Sequence, residues 1–195
     1  MTDSAIRIEA ILFDMDGVLI DSNSVIERAW REAAEIYGKS ISEEQMVKHI
    51  LGQPGPHTIQ ALFSDLPLTD QRKVQAHIIQ VENTAEYNPV PGVAQLIHSL
   101  NAAGVKVGIV TSGWREKIDR VIAMLNVQHC ISVIVERDDV ARGKPFPDPY
   151  LLACLLPNVS HYPPKRQWCL KIREVVSLLQ SRPGPGVSVS EVMNF

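Results

Sequence analysis

Two aspartates, at positions 14 and 16, are the side chains of this sequence best placed to do chemistry. The segment Asp14–Gly17 directly follows the apolar run Ile8–Phe13, which predicts a strand buried on both faces. Side chains two residues apart on an extended chain point the same way, so Asp14 and Asp16 can face one site. Because two close carboxylates repel each other, the pair indicates a bound divalent cation; a solvated turn is the alternative.

Two further segments have the chemistry of a phosphate site. Thr111–Gly113 ends a second apolar run and offers a hydroxyl and consecutive backbone N–H groups where a helix is predicted to begin. Lys144 lies in Gly143–Asp148, where two prolines stiffen the backbone and could aim its ammonium group. Ordinary helix capping is the alternative for the first segment, and a solvated position is the alternative for the lysine.

Strands that alternate with helices predict an α/β fold. The runs Val105–Val110 and Ile131–Val135 are apolar, and a helical pattern separates them. This order predicts a parallel sheet with helices on both faces, which binds ligands beyond the carboxyl ends of its strands. Residues 21–88 show only helical patterning and are expected to form an inserted small helical cap, whereas 1–20 and 89–154 are expected to form a Rossmann-like core.

The composition excludes several classes of protein. The chain has 195 residues, 45% of them hydrophobic, which is enough for a substantial core. Its 19 basic and 22 acidic side chains argue against a dedicated nucleic-acid or membrane-surface binder, and no apolar run reaches the roughly 18 residues of a membrane span. The N-terminus lacks a secretory signal, and 3 scattered cysteines argue against a disulfide framework or a zinc site, so a cytoplasmic location is expected.

Taken together, the three motifs resemble the haloacid dehalogenase superfamily of aspartate-nucleophile phosphotransferases. The resemblance covers roughly Ile8–Cys154 and includes the complete segments Phe13–Ser22, Val110–Gly113 and Gly143–Asp148. Within that superfamily, Glu27–Trp30, Val90–Gly92 and Thr111–Gly113 look most like the sugar-phosphate and glycerol-phosphate phosphatases, which have a small helical cap and are kin of β-phosphoglucomutase.

The resemblance implies a role for each candidate residue. Asp14 would be the nucleophile that forms an aspartyl-phosphate, and Asp16 would protonate the leaving oxygen and then deprotonate water. Thr111 and the Ser112 N–H would bind phosphate oxygens, while Lys144 would neutralise charge on the nucleophile and the phosphoryl group. Mg²⁺ would bridge Asp14 and a phosphate oxygen, with the backbone carbonyl of Asp16 as a further ligand.

The fourth motif of the superfamily, an acidic pair after a further strand, is degraded in this sequence. The candidate strand is Trp168–Ile172, and Glu174 stands where a metal-binding aspartate would stand. The neighbour of Glu174 is a cation and no glycine-rich helix follows, so a solvated glutamate on a helix over Arg173–Gln180 is the alternative. Residues 155–195 are therefore expected to be a divergent segment and an incomplete part of the core, as in a frameshifted or truncated enzyme.

These expectations define a Mg²⁺-dependent phosphatase for a small sugar or polyol phosphate, acting as a monomer or weak dimer without nucleic-acid or membrane partners. A β-phosphoglucomutase-like phosphotransferase is one alternative. The loop Leu51–His57 has few cations for holding a bisphosphate, which favours hydrolysis. The other alternative is a catalytically impaired protein that at most binds phosphorylated ligands.

Overall fold

The computed structural model describes residues 8–155, which divide into two compact units. One unit contains residues 8–19 and 89–155, and the other is Ile20–Asn88. In chain order, the elements are β1 (Ala10–Phe13), β2 (Ile20–Asp21), α1 (Asn23–Ile36), α2 (Glu43–His49), α3 (Gly55–Leu62), α4 (Leu68–Thr84), β3 (Asn88–Pro89), α5 (Val93–Ala102), β4 (Lys106–Val110), α6 (Arg115–Met124), a 3₁₀ turn (Gln128–Cys130), β5 (Ile131–Val135), a second 3₁₀ turn (Arg137–Asp139) and α7 (Asp148–Leu155).

The first unit is built on a parallel sheet with the strand order β1-β4-β5. In register, Phe13 lies opposite Ile109, and Val110 lies opposite Val135. Four of the five residues of β4 are buried, because helices α5 and α7 pack on the sheet. Near-continuous apolar strands are what a parallel sheet covered in this way requires. The predicted α/β class with a parallel sheet is confirmed, with β1 starting two residues later than the apolar run.

Gly108 in the middle strand permits close packing across this sheet. A Cβ atom at position 108 would lie 2.5 Å from Leu12 Cδ2 and 2.6 Å from Val133 Cγ1. The side chains of both neighbouring strands therefore fill the space above a residue that has none of its own.

The second unit is helical apart from β2 and the first residue of β3, and these two short strands pair with each other. In α1, Val25, Ala29 and Ala33 recur at four-residue spacing and are buried on one face. The ring centroids of Trp30 and Phe63 lie 5.9 Å apart in the core of this unit. Within residues 8–155, no helix is long and apolar enough to cross a membrane.

Several expectations concern residues beyond this range. The divergent segment 155–195 lies outside the described residues except for Leu155, the last residue of α7. The candidate strand Trp168–Ile172 and the candidate metal ligand Glu174 also lie outside them.

Candidate active site

Asp14 and Lys144 form an ion pair at the carboxyl end of the sheet. Asp14 directly follows β1, and Lys144 Nζ lies 2.8 Å from Asp14 Oδ2. The same ammonium donates a hydrogen bond of 2.9 Å to the carbonyl of Val110, the last residue of β4. Lys144 thus connects the ends of two neighbouring strands, and two acceptors fix the position of its charge.

The carboxylate of Asp14 is oriented and accessible. Its second oxygen, Oδ1, accepts a hydrogen bond of 2.7 Å from the backbone N–H of Met15. The Asp14 side chain nevertheless remains 40% exposed, compared with 16% for Lys144. An oxygen fixed in this way, with one side open to solvent, meets the geometric requirement for a nucleophile.

Asp16 forms an ion pair with a different lysine. Lys117, near the start of α6, donates a hydrogen bond of 2.7 Å from Nζ to Asp16 Oδ1. The Lys117 side chain is 2% exposed and that of Asp16 is 29% exposed. Lys117 Nζ also lies 5.6 Å from the ring centroid of Trp114, within range of a cation–π interaction. A buried ammonium needs such partners to offset its desolvation.

Lys117 was not predicted from the sequence as a residue of this site. It lies three residues after Trp114 and four before Val121, a spacing that places it on the inward face of an amphipathic helix. The sequence does contain a signal for this residue, since a lysine on the apolar face of a helix requires an acidic partner.

The loop Thr111–Gly113 is tied to the end of β5. The backbone N–H of Thr111 donates to the carbonyl of Val135 at 3.0 Å, and the N–H of Arg137 donates to the carbonyl of Gly113 at 3.2 Å. The Thr111 hydroxyl oxygen accepts a hydrogen bond of 3.0 Å from the Gly113 N–H. Because a hydroxyl can donate as well as accept, Thr111 retains a proton to offer an anion.

This loop also lies at the N-terminal end of a helix, a position that favours a bound anion. It leads into α6, a helix of ten residues whose N-terminal end carries a partial positive charge. The loop lies close to the first motif, since a Cβ atom on Gly113 would lie 2.8 Å from Met15 Cε. Ser112 in this loop is half-buried.

The structure therefore brings most of the predicted residues to one edge of one sheet. Asp14 and Lys144 are in contact, Thr111 follows the Val110 that Lys144 binds, and Asp16 pairs with Lys117. In this group, the carboxylates of Asp14 and Asp16 are the candidate metal ligands.

Comparisons with known proteins show which family the chain matches and which solved structures share its fold. Residues 11–161 match the family described as haloacid dehalogenase-like hydrolase. The chain is 31% identical over 156 residues to the phosphorylated carbohydrates phosphatase of Thermotoga maritima, covering 77% of this chain and 71% of that protein. It is 30% identical over 158 residues to hexitol phosphatase A of Escherichia coli, covering 77% and 69%. The crystal structure of CbbY from Rhodobacter sphaeroides in complex with phosphate has a TM-score of 0.67 and 25% identity, covering 84% of this chain and 77% of that chain.

The parallel sheet, with acidic and basic residues at its carboxyl edge, defines an α/β protein with a candidate ligand site at that edge. The chain belongs to the haloacid dehalogenase-like hydrolase family. The predicted family and enzyme class, a phosphoric monoester hydrolase of this family, are thereby confirmed.

Proposed function

We propose that this chain hydrolyses the phosphate monoester of a small sugar or polyol, with Mg²⁺ as cofactor and an aspartyl-phosphate on Asp14 as intermediate. The observation that carries the proposal is the 2.8 Å contact between Lys144 Nζ and Asp14 Oδ2, with the lysine also bound to the Val110 carbonyl. This contact supports a nucleophilic role for Asp14, since the carboxylate is held in place at an open edge of the sheet.

The reaction would proceed in two displacements. The Asp14 carboxylate oxygen attacks phosphorus, the bond from phosphorus to the sugar oxygen breaks, and a proton from Asp16 goes to the leaving oxygen. Asp16 then takes a proton from a water molecule that attacks the aspartyl-phosphate, which releases inorganic phosphate and restores Asp14. The Lys117 contact supports this role because it fixes the position of the Asp16 carboxylate between the two steps.

Phosphate binding would use the loop before α6. The Thr111 hydroxyl, the Ser112 N–H and the Lys144 ammonium would donate to the phosphoryl oxygens, which share the negative charge of the transition state. The loop's bonds to Val135 and Arg137 support this role, since donors that are already fixed need no reorganisation during the reaction.

The charges of the site are compatible with a divalent cation. Asp14 carries one negative charge and Lys117 and Lys144 carry two positive ones, so a dianionic phosphate would leave an excess of negative charge even with Asp16 protonated, as the first step requires. Mg²⁺ is commonly held by one or two carboxylates, waters and phosphate oxygens, which is the donor set here. When bound, it would polarise the phosphoryl group and reduce its repulsion by Asp14. Glu174 as a further ligand stays a prediction.

Two relatives support the proposed substrate class. They are phosphatases of phosphorylated carbohydrates and of hexitol phosphates by name, which supports a sugar or polyol phosphate for this chain. A β-phosphoglucomutase-like transfer would use the same two aspartates. Release of inorganic phosphate from sugar phosphates without added bisphosphate would favour hydrolysis. The cytoplasmic location and the monomeric or weakly dimeric state stay predictions.

The proposal is tested by assaying the purified chain on p-nitrophenyl phosphate and on a panel of sugar and polyol phosphates, with and without Mg²⁺. We expect Mg²⁺-dependent release of phosphate, reduced at least about 10³-fold in Asp14→Asn. The matched control is Asp119→Asn, an exposed aspartate of α6 that pairs with Arg115, and it should retain the wild-type rate. Equal rates for Asp14→Asn and the wild type would contradict the proposal. An inactive wild type would favour the catalytically impaired alternative.

A further inference from the structure

A second group of metal-binding side chains lies at the opposite end of the same sheet. His98 is on α5, and His129 and Cys130 form the end of the 3₁₀ turn that leads into β5. One ligand atom from each of these three residues lies within 4.8 Å of the other two. Because β5 begins at Ile131, the group lies at the amino end of this strand, whereas Asp14 and Thr111 follow the carboxyl ends of theirs.

The sulfur-to-nitrogen distance between Cys130 and His98 suits a tetrahedral metal ion. Cys130 Sγ lies 3.5 Å from His98 Nδ1. Bonds of about 2.3 Å to sulfur and 2.0–2.1 Å to nitrogen, at the tetrahedral angle, place the two ligand atoms about 3.6 Å apart. The rings of His98 and His129 lie side by side, with centroids 5.5 Å apart, so the second imidazole is close to the same point.

The chemical types of the three ligand atoms indicate which metal ion would bind there. A thiolate and two imidazoles are borderline-soft ligands that suit Zn²⁺ and do not suit Mg²⁺, which prefers oxygen. Cys130 is 2% exposed, His98 is half-buried and His129 is exposed, so the group opens to solvent on one side. We propose that His98, His129 and Cys130 form a zinc site, with water completing the coordination because the described part of the chain supplies three ligands there.

A bound ion would stabilise the fold, although its water-bound position would stay open to solvent. Its ligands come from a helix and from a turn that precedes a core strand, so a bound ion would tie α5 to the start of β5. The cysteine count argued against zinc, but this site needs a single cysteine and recruits histidines from two separate elements. Binding at a concentration 100-fold above Kd should raise Tm by roughly 5–11 °C for a chain of this size.

The experiment is a titration of the purified full chain with Co²⁺, followed by displacement with Zn²⁺. With excess Mg²⁺ present to occupy the proposed site at Asp14, we expect one tetrahedral Co²⁺ per chain, with intense visible-range absorption and a thiolate-to-cobalt charge-transfer band. His129→Ala should weaken binding about tenfold or more without unfolding the chain, because this side chain is exposed. Cys130→Ser should abolish the charge-transfer band, whereas Cys154→Ser, a half-buried cysteine of α7, should preserve it.

Two results would overturn the proposal. One is equal Co²⁺ affinity in His129→Ala and the wild type, or the absence of Co²⁺ and Zn²⁺ binding altogether, which would leave only a hydrogen bond between Cys130 and His98. The other is a charge-transfer band that persists in Cys130→Ser and disappears in Cys154→Ser. Phosphatase activity without added zinc should be the same in His129→Ala and the wild type, so the outcome is independent of the proposed phosphatase function.

Discussion

Lys117 Nζ lies 2.7 Å from Asp16 Oδ1, and the lysine side chain is almost completely buried while the aspartate is partly open to solvent. The other aspartate of the motif has a corresponding partner, since Lys144 lies 2.8 Å from Asp14. Each carboxylate of the first motif is therefore paired with a separate lysine, and the two lysines come from different segments that follow β4 and β5. A buried lysine costs desolvation energy, which its contact with Asp16 offsets in part.

Lys117→Met tests whether this lysine positions Asp16. We expect kcat on p-nitrophenyl phosphate to fall about 10-fold to 100-fold with little change in KM, because a displaced Asp16 is a poorer base for the water that attacks the aspartyl-phosphate. Lys106→Met, which removes an exposed lysine at the start of β4, is the control and should leave kcat unchanged. In an Asp16→Asn background the Lys117 substitution should cost less than about threefold. A loss of the same size in both backgrounds would show that Lys117 acts independently of Asp16.

Thr111 should stabilise its loop through its hydroxyl. Thr111→Val leaves the buried Gly113 N–H without its acceptor, and we expect the free energy of unfolding to fall by roughly 1–3 kcal/mol. Thr111→Ser keeps the oxygen and should lose much less. Urea unfolding of both variants measures the difference, and equal stability of the valine and serine variants would refute the role of this hydrogen bond.

Gly108→Ala should disturb the packing of the middle strand. The new methyl group would overlap with Leu12 and Val133, and repacking of this kind costs roughly 1–3 kcal/mol of the free energy of unfolding. The control is Gly143→Ala, because a Cβ atom at position 143 has nothing within 4 Å, and this variant should stay within about 0.5 kcal/mol of the wild type. Chemical denaturation of the two variants provides the comparison, and similar stabilities would show that the close contacts at Gly108 are unimportant.

Glu136, which follows β5, should make stability depend on pH. Burial raises the pKa of Glu136, and the nearby charge of Asp139 raises it further. A carboxyl whose pKa is higher in the folded state stabilises that state when protonated, so its contribution is complete below the unfolded pKa and is lost as pH rises through the folded value. The ionised form therefore opposes folding at neutral pH.

Glu136→Gln removes this ionisation and keeps an acceptor for the Asp139 N–H. We expect its Tm at pH 7 to exceed that of the wild type by about 1–3 °C, and the difference to vanish near pH 4. Glu9→Gln, at an exposed position before β1, is the control and should leave Tm unchanged. A Glu136→Gln variant less stable than the wild type at pH 7 would show that ionised Glu136 stabilises the folded state, which contradicts this prediction.

The sheet and the residues at its carboxyl edge could be predicted because each strand and the residue that follows it form one short stretch of sequence. The apolar runs of β1, β4 and β5 are continuous, since both faces are covered, and Asp14 and Thr111 directly follow two of them. Once the strands are known to be parallel, these side chains must lie at one edge.

The side-chain contacts that the sequence did not predict join distant parts of the chain. Lys117 and Asp16 are 101 positions apart, and a lysine within an amphipathic helix usually faces solvent. The group of His98, His129 and Cys130 forms only when α5 packs beside the turn before β5. Neither spacing corresponds to a local motif, so the sequence alone gave no reason to group these residues.

Chemical trapping of the covalent intermediate tests the central claim most directly. During turnover with Mg²⁺ of p-nitrophenyl phosphate, whose leaving group needs no proton donor, the wild type and Asp16→Asn are quenched and treated with borohydride, which reduces an aspartyl-phosphate to homoserine. Mass spectrometry of the peptides should show this conversion at position 14 only, with a higher yield in Asp16→Asn, where attack by water is slowed. Conversion at another aspartate, with position 14 unmodified during turnover, would contradict the account.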